Sequence, residues 1–164
     1  MSRVLVLALI LFTAKSGKVE IGDDSLSWTI RDGTLTYNLS FESPLKYYAV
    51  GLRNLDVTVN LIQCANFTVI NTEDKKAFPC YTKCNSNVMT CEGSLKAEFF
   101  GNSVTWNETW NYTEEEEYNM IYLKANNSQF STAKVYSGEI TLSQEFGEDS
   151  ALEAVFLALL LSLT

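Results

Sequence analysis

Apolar and polar residues alternate through most of the middle of the chain. Leu26, Trp28 and Ile30 fall on one side of an extended run. Leu35, Tyr37, Leu39 and Phe41 form a second run, with Thr36, Asn38 and Ser40 on the opposite side. Side chains of a strand point alternately to its two faces, so a period of two marks a half-buried strand. Asp32-Gly33 between the two runs suits a tight hairpin turn. The same pattern predicts strands over 46–52, 56–63, 67–70, 94–100, 103–106, 120–125, 133–137 and 139–142. Turn formers separate them: Arg53-Asn54, Asn71-Thr72-Glu73-Asp74, Gly101-Asn102, Asn126-Asn127 and Ser137-Gly138. Helical periodicity is confined to the two ends, and neither an internal repeat nor a glycine-rich linker interrupts the rest. The fold class expected is all-β: a single antiparallel sandwich or barrel of about 8–10 short strands.

The glycosylation pattern bears on strand register. Asn38 falls on the polar side of its run, and Asn66 and Thr68 lie opposite Phe67 and Val69. A sugar cannot be buried, so the register predicted for both runs turns the asparagine to water and the aromatics to the core.

Both ends have the character of processed segments. Arg3 is followed by the apolar run Val4 to Phe12 and then by Thr13-Ala14-Lys15-Ser16-Gly17. A basic start, a short apolar core and a small-residue exit form a secretory signal, with cleavage expected after Ser16 and, as second choice, after Ala14. The run is shorter than the about 20 residues that cross a bilayer as a helix. At the other end a polar stretch, 143–150, leads into an apolar tail broken by Glu153, with no Lys or Arg after it. A polar spacer and a terminal apolar tail make the layout of a glycosylphosphatidylinositol signal, with Ser143, Gly147 and Ser150 as candidate attachment residues. A membrane-associated or packing helix is the rival for the tail. The division expected is a signal peptide over 1–16, a domain over 17–145, and spacer plus tail over 146–164.

Five Asn-X-Ser/Thr triplets fall between these ends, at Asn38, Asn66, Asn107, Asn111 and Asn126. Behind a signal peptide, that density marks a glycoprotein. Cys64, Cys80, Cys84 and Cys91 are an even set in the same region, and a secreted chain makes disulfides their expected state. Three connectivities are open. The segment 79–91 is polar and turn-rich, so the bridges are expected to staple it to the strand carrying Cys64. A four-thiolate zinc site is the rival, but only Cys80 and Cys84 approach the required spacing. The Cys…Trp…Cys order of an immunoglobulin core is absent, since Trp28 precedes every cysteine.

Charge and composition narrow the function. The net charge is −8, and loss of Arg3, Lys15 and Glu153 with the two ends takes it to −9. Nucleic-acid binding requires a cationic face and is not expected. Histidine is absent, which removes Ser-His-Asp and Cys-His catalysis and His-ligated zinc or haem. No catalytic motif, cofactor site or EF-hand spacing is present, so no enzyme activity, cofactor or metal is expected. The densest charge, Glu114 to Glu117, reads as a solvated loop. Trp106, Trp110, Tyr112 and Tyr118 gather around it and form the candidate ligand surface, because aromatics beside carboxylates stack on sugars or cage cations.

Residues 26–41, Leu26 through Phe41, followed by Tyr47-Tyr48-Ala49-Val50-Gly51-Leu52, resemble the opening of a DOMON domain. Its elements are a tryptophan strand, a hairpin and an aromatic-x-x-x-Gly-aliphatic strand, and Leu55-Asp56-Val57-Thr58-Val59 is similar to the Asp-led strand that follows. The resemblance spans residues 26–59 and implies an extracellular β-sandwich that binds haem or sugar. The family's haem-binding members use Met and His; this chain has no His, and Arg53-Asn54-Leu55 stands where the methionine belongs.

The function expected is a secreted or lipid-anchored recognition or adhesion module on the outer face of the plasma membrane. Its partner would be an extracellular protein or glycan. The alternative is an extracellular carrier of a small apolar or sugar ligand in a sandwich or barrel cavity. An acid-dependent glycosidase would need two carboxylates set across a cleft and has no motif behind it.

Overall fold

A computed structural model of the chain describes residues 9–14, 17–55, 60, 62–109, 116–130 and 133–142. Every regular element in it is a strand: β1 (Leu9–Ala14), β2 (Lys18–Ile21), β3 (Asp24–Arg31), β4 (Thr34–Ser40), β5 (Tyr47–Asn54), β6 (Asn66–Asn71), β7 (Lys76–Thr82), β8 (Met89–Cys91), β9 (Ala97–Phe100), β10 (Ser103–Thr109), β11 (Glu116–Ala125) and β12 (Lys134–Leu142). They form two sheets, one of seven strands in the order β1-β12-β11-β5-β6-β7-β8 and one of five in the order β2-β3-β4-β10-β9. All neighbours are antiparallel except β1, which lies parallel along β12. The architecture is therefore a sandwich, and not a barrel.

With β1, β2 and β8 set aside, the sheets read β3-β4-β10-β9 and β12-β11-β5-β6-β7. That is the A-B-E-D and G-F-C-C′-C″ order of an immunoglobulin variable domain. The B–F disulfide of such domains has no counterpart, because β4 and β11 contain no cysteine. A shared strand order carries the fold and not the function.

The hairpin at Asp32-Gly33 forms as its sequence predicts. Both residues have positive φ, 49° and 75°, as a type I′ turn requires. It sets Trp28 beside Tyr37 and Leu26 beside Leu39 across β3 and β4. These side chains, with Ile30, Leu35, Val104 and Trp106, meet Tyr48, Val50, Met120, Tyr122, Tyr136 and Ile140 of the facing sheet in the inner core.

The seven-stranded sheet is apolar on its other face as well. Ala49, Phe67, Val69, Ile121, Leu123 and Val135 form a second buried cluster there with Ile62, Ala65, Phe130 and Ala133 of the connecting segments. This overturns the expected orientation of β6. Phe67 and Val69 point to the outer layer, whereas Thr68, 2% exposed, and Ile70 point between the sheets. Asn66 reaches solvent because it opens the strand. Strict alternation identifies a buried face only when the opposite face is wet, and this sheet is covered twice.

Other differences have equally local causes. Residues 60, 62 and 63 of the expected strand 56–63 lie in turns or irregular backbone, and its other positions lie outside the described residues. Residues 79–82 of the segment read as turn-rich belong to β7, which pairs with β6 from Lys76 to Tyr81. Ser137-Gly138 is no turn: β12 continues through it opposite Ile121 and Met120. Arg53-Asn54 likewise belongs to β5. Leu9–Ala14 of the expected leader is β1, and the remainder of 1–16 lies outside the described residues.

Candidate functional site

The two ends of the sandwich differ. The proximal end is where β5, β10 and β12 finish; the distal end is where β4, β6 and β11 finish.

At the proximal end a cleft of about 780 Å³ opens between the sheets. β10 supplies its wall: alternation that buries Val104 and Trp106 places Glu108 on the same inward face. The Glu108 carboxylate oxygen Oε1 accepts a hydrogen bond from Trp106 Nε1–H at 3.1 Å and another from the Thr68 hydroxyl on β6. Tyr37 and Trp106 stack with ring centroids 5.0 Å apart. Burial pushes the Tyr37 hydroxyl well above its usual 10.0, and the neighbouring Glu108 and Tyr118 add to the effect. Tyr118 closes the floor and donates its own hydroxyl to Glu116. Arg53 also lines the cleft, but its Nη1 donates to the Asn60 carbonyl at 2.7 Å. Burial lowers its guanidinium pKa below its usual range.

The distal end holds a buried carboxylate of a different kind. Asp24, 1% exposed, accepts from the Tyr122 hydroxyl at 2.8 Å, the Lys124 ammonium at 3.1 Å and the Glu42 backbone N–H at 3.2 Å. Burial and then the Asp24 charge drive the Tyr122 hydroxyl far above its usual range. A salt-bridged carboxylate with three donors is satisfied, and it clasps one sheet to the other. A smaller groove of about 430 Å³ lies at this end, beneath the β9–β10 turn. Phe100 at that turn is 87% exposed.

The candidate ligand surface is split by the fold. Trp106 is 1% exposed and belongs to the inner core, because its strand turns it between the sheets. Tyr118 is 9% exposed and reaches the cleft floor. Trp110 and Tyr112 lie outside the described residues, as do Asn111, Glu114, Glu115, Ser143, Gly147 and Ser150. Glu116 and Glu117 of the acidic run open β11 and are not loop.

The cysteines pair as Cys64–Cys84 and Cys80–Cys91. The second bridge joins residues directly opposite each other on β7 and β8, and the first ties this hairpin to the segment before β6. Asn38, Asn66, Asn107 and Asn126 are all exposed. Asn38 and Asn107 share the outer face of the five-stranded sheet, where Asn38 donates to Thr105 and Asn107 accepts from Thr36. Among the described residues no group of three or more His, Cys, Asp or Glu is placed to hold a metal, and no helix is long and apolar enough to cross a membrane.

Glu108 and Asp24 were not among the candidate residues. The signal for both was present in the alternation: Asp24 shares parity with Leu26 and Trp28, and Glu108 with Val104 and Trp106. A carboxylate in phase with a buried run is the mark of an inward charge. No known family model matches the chain, and no curated protein matches it.

Proposed function

We propose that the chain is a secreted or lipid-anchored cell-surface glycoprotein that acts as a non-catalytic recognition or adhesion module. The observation that carries this reading is the pair of disulfides, since such bridges form and persist outside the reducing cytosol. Exposure of the four described sequon asparagines supports it, because each can carry a sugar without disturbing the core. On this reading the leader is removed, the tail is exchanged for a lipid, and the partner is an extracellular protein or glycan.

The test is expression of the full reading frame in mammalian cells. Phosphatidylinositol-specific phospholipase should release the protein from the surface, and an N-glycosidase should lower its mass. A product found in the cytosol with free thiols and no glycan would overturn the reading.

A second reading, a carrier of a small apolar or sugar ligand, is favoured by the proximal cleft, whose volume lies within the about 300–1,000 Å³ of ligand pockets. It is also the branch that the DOMON resemblance of residues 26–59 implies once haem lacks its ligands.

A further inference from the structure

The proximal cleft combines features that define the chemistry of an occupant. Its wall carries a carboxylate, Glu108, held in place by two neutral donors, Trp106 Nε1–H and the Thr68 hydroxyl. Both bonds fall on the same oxygen, Oε1. Neutral donors fix a carboxylate but supply no counter-charge, and Glu108, half-buried, is open to the cleft. Arg53, the one cationic side chain among the described lining residues, sends Nη1 to the Asn60 carbonyl. Glu92 adds a second carboxylate to the lining. Three tyrosines, Tyr37, Tyr81 and Tyr118, line the same space. Tyr37 and Tyr118 are buried and Tyr81 is half-buried, so Tyr81 is the ring of the three best placed to meet an occupant, and aromatic faces attract cations through the ring quadrupole.

From the fixed carboxylate, the tyrosine lining and the open cleft we infer that this end of the sandwich receives an N–H-bearing organic cation: the ammonium of a lysine or the guanidinium of an arginine, presented by a partner protein. A neutral sugar could accept the aromatic faces but would leave the Glu108 charge unbalanced. The cation neutralises it and donates to it, and charge-assisted hydrogen bonds of this type are about twice as strong as neutral ones. The cleft is also larger than one side chain needs, which leaves room for backbone of the presenting segment. A chain of net charge −8 draws such a partner in by long-range attraction. The inference rests on the extracellular recognition reading and names the ligand class of that activity.

The test uses the full chain, purified in glycosylated form from expressing cells. It is titrated with N-acetyl-lysine methylamide, N-acetyl-arginine methylamide and the neutral N-acetyl-norleucine methylamide, read by calorimetry and tryptophan fluorescence. Both cations should saturate the protein, and the norleucine compound should bind at least about tenfold more weakly. Glu108→Gln should weaken the cations about tenfold and leave the norleucine compound unchanged. Glu139→Gln, an exposed acid on β12, should change nothing. Should Glu108→Gln fail to fold, Tyr81→Leu provides the second variant and should weaken both cations several-fold. Equal binding of norleucine and lysine compounds would overturn the inference, as would cation binding untouched by Glu108→Gln or Tyr81→Leu, or no saturation by either cation. Surface display is scored separately by antibody on intact cells. Normal display without cation binding therefore refutes this inference alone.

Discussion

The two faces of the seven-stranded sheet are both buried, but by different means. On its inner face Tyr48, Tyr122 and Tyr136 meet Trp28, Tyr37 and Trp106 of the opposing sheet, and large rings fill the space. On its outer face the cluster is mostly aliphatic, and its lid consists of connecting segments around Ile62, Ala65, Phe130 and Ala133. Sheet packs on sheet in the first case, with backbone pairing on both sides. In the second, loop packs on sheet, and loop backbone gains little from regular pairing. Both disulfides lie with the second cluster: Cys80 belongs to it, and Cys64 sits between Ile62 and Ala65. Covalent clips are placed where the non-covalent cover is least regular, which suits their action of restricting the unfolded chain.

Alkaline pH separates the two regions most sharply. Burial is the first cause of the raised hydroxyl pKa values of Tyr37, Tyr48 and Tyr122, with Tyr48 pushed up to about 12. A raised pKa means that the folded chain keeps a proton the unfolded chain has lost. The stability involved is whole below about pH 10 and falls as pH climbs through the folded values, by about 1.4 kcal/mol per pH unit for each tyrosine. The expected melting temperature is level up to about pH 9 and drops steeply above pH 10. Circular dichroism melts paired with tyrosinate absorbance check it. Tyrosinate forming near pH 10 at all eight tyrosines while the fold stays intact would mean that the inner core is open to water.

Trp106→Ala strikes the inner core at its largest side chain. It removes the stacking partner of Tyr37 and the indole donor of Glu108. The expected loss is about 3–5 kcal/mol, read from denaturant unfolding. Opening the outer clip should cost less. Replacing Cys64 and Cys84 together by Ser releases a separation of 20 residues, worth about 3 kcal/mol in the chain-entropy account. Hydrogen exchange distinguishes the two variants: the disulfide variant should lose protection in 62–65 and 126–130 first, with β3 and β4 still protected. Equal loss in both regions would show that the faces do not unfold separately.

Alternation made the five-stranded sheet legible in the sequence, because one of its faces is wet. Asn38, Thr29 and Asn107 point out while Leu39, Ile30 and Trp106 point in. The same rule failed on β6 and β7, whose strands are covered on both faces, so that Phe67 and Thr68 are both buried. β2 was missed because four residues carry too little pattern, and β7 because proline and cysteine look like loop. Half of the cleft could have been read. Glu108 is in phase with Trp106, but its convergence with Thr68, 40 residues away in sequence, depends on the sheets meeting.

Gly51→Ala is the smallest of these perturbations and the one most specific to the outer face. The Phe67 ring lies across Gly51 from the neighbouring strand, so a Cβ added there would enter the ring's van der Waals envelope. Overpacking of this kind costs about 1–3 kcal/mol. The pair belongs to the outer layer, so its response measures how firmly that layer is held. Phe67→Leu removes the ring and should be destabilising on its own, since Phe67 is 3% exposed. In the double variant the two losses should sum to less than their separate values, because the clash disappears with the ring, a coupling of about 0.5–3 kcal/mol. Strict additivity, with Gly51→Ala nearly free of cost, would mean that Phe67 swings aside readily. The outer layer would then owe its order to the disulfides and not to its packing.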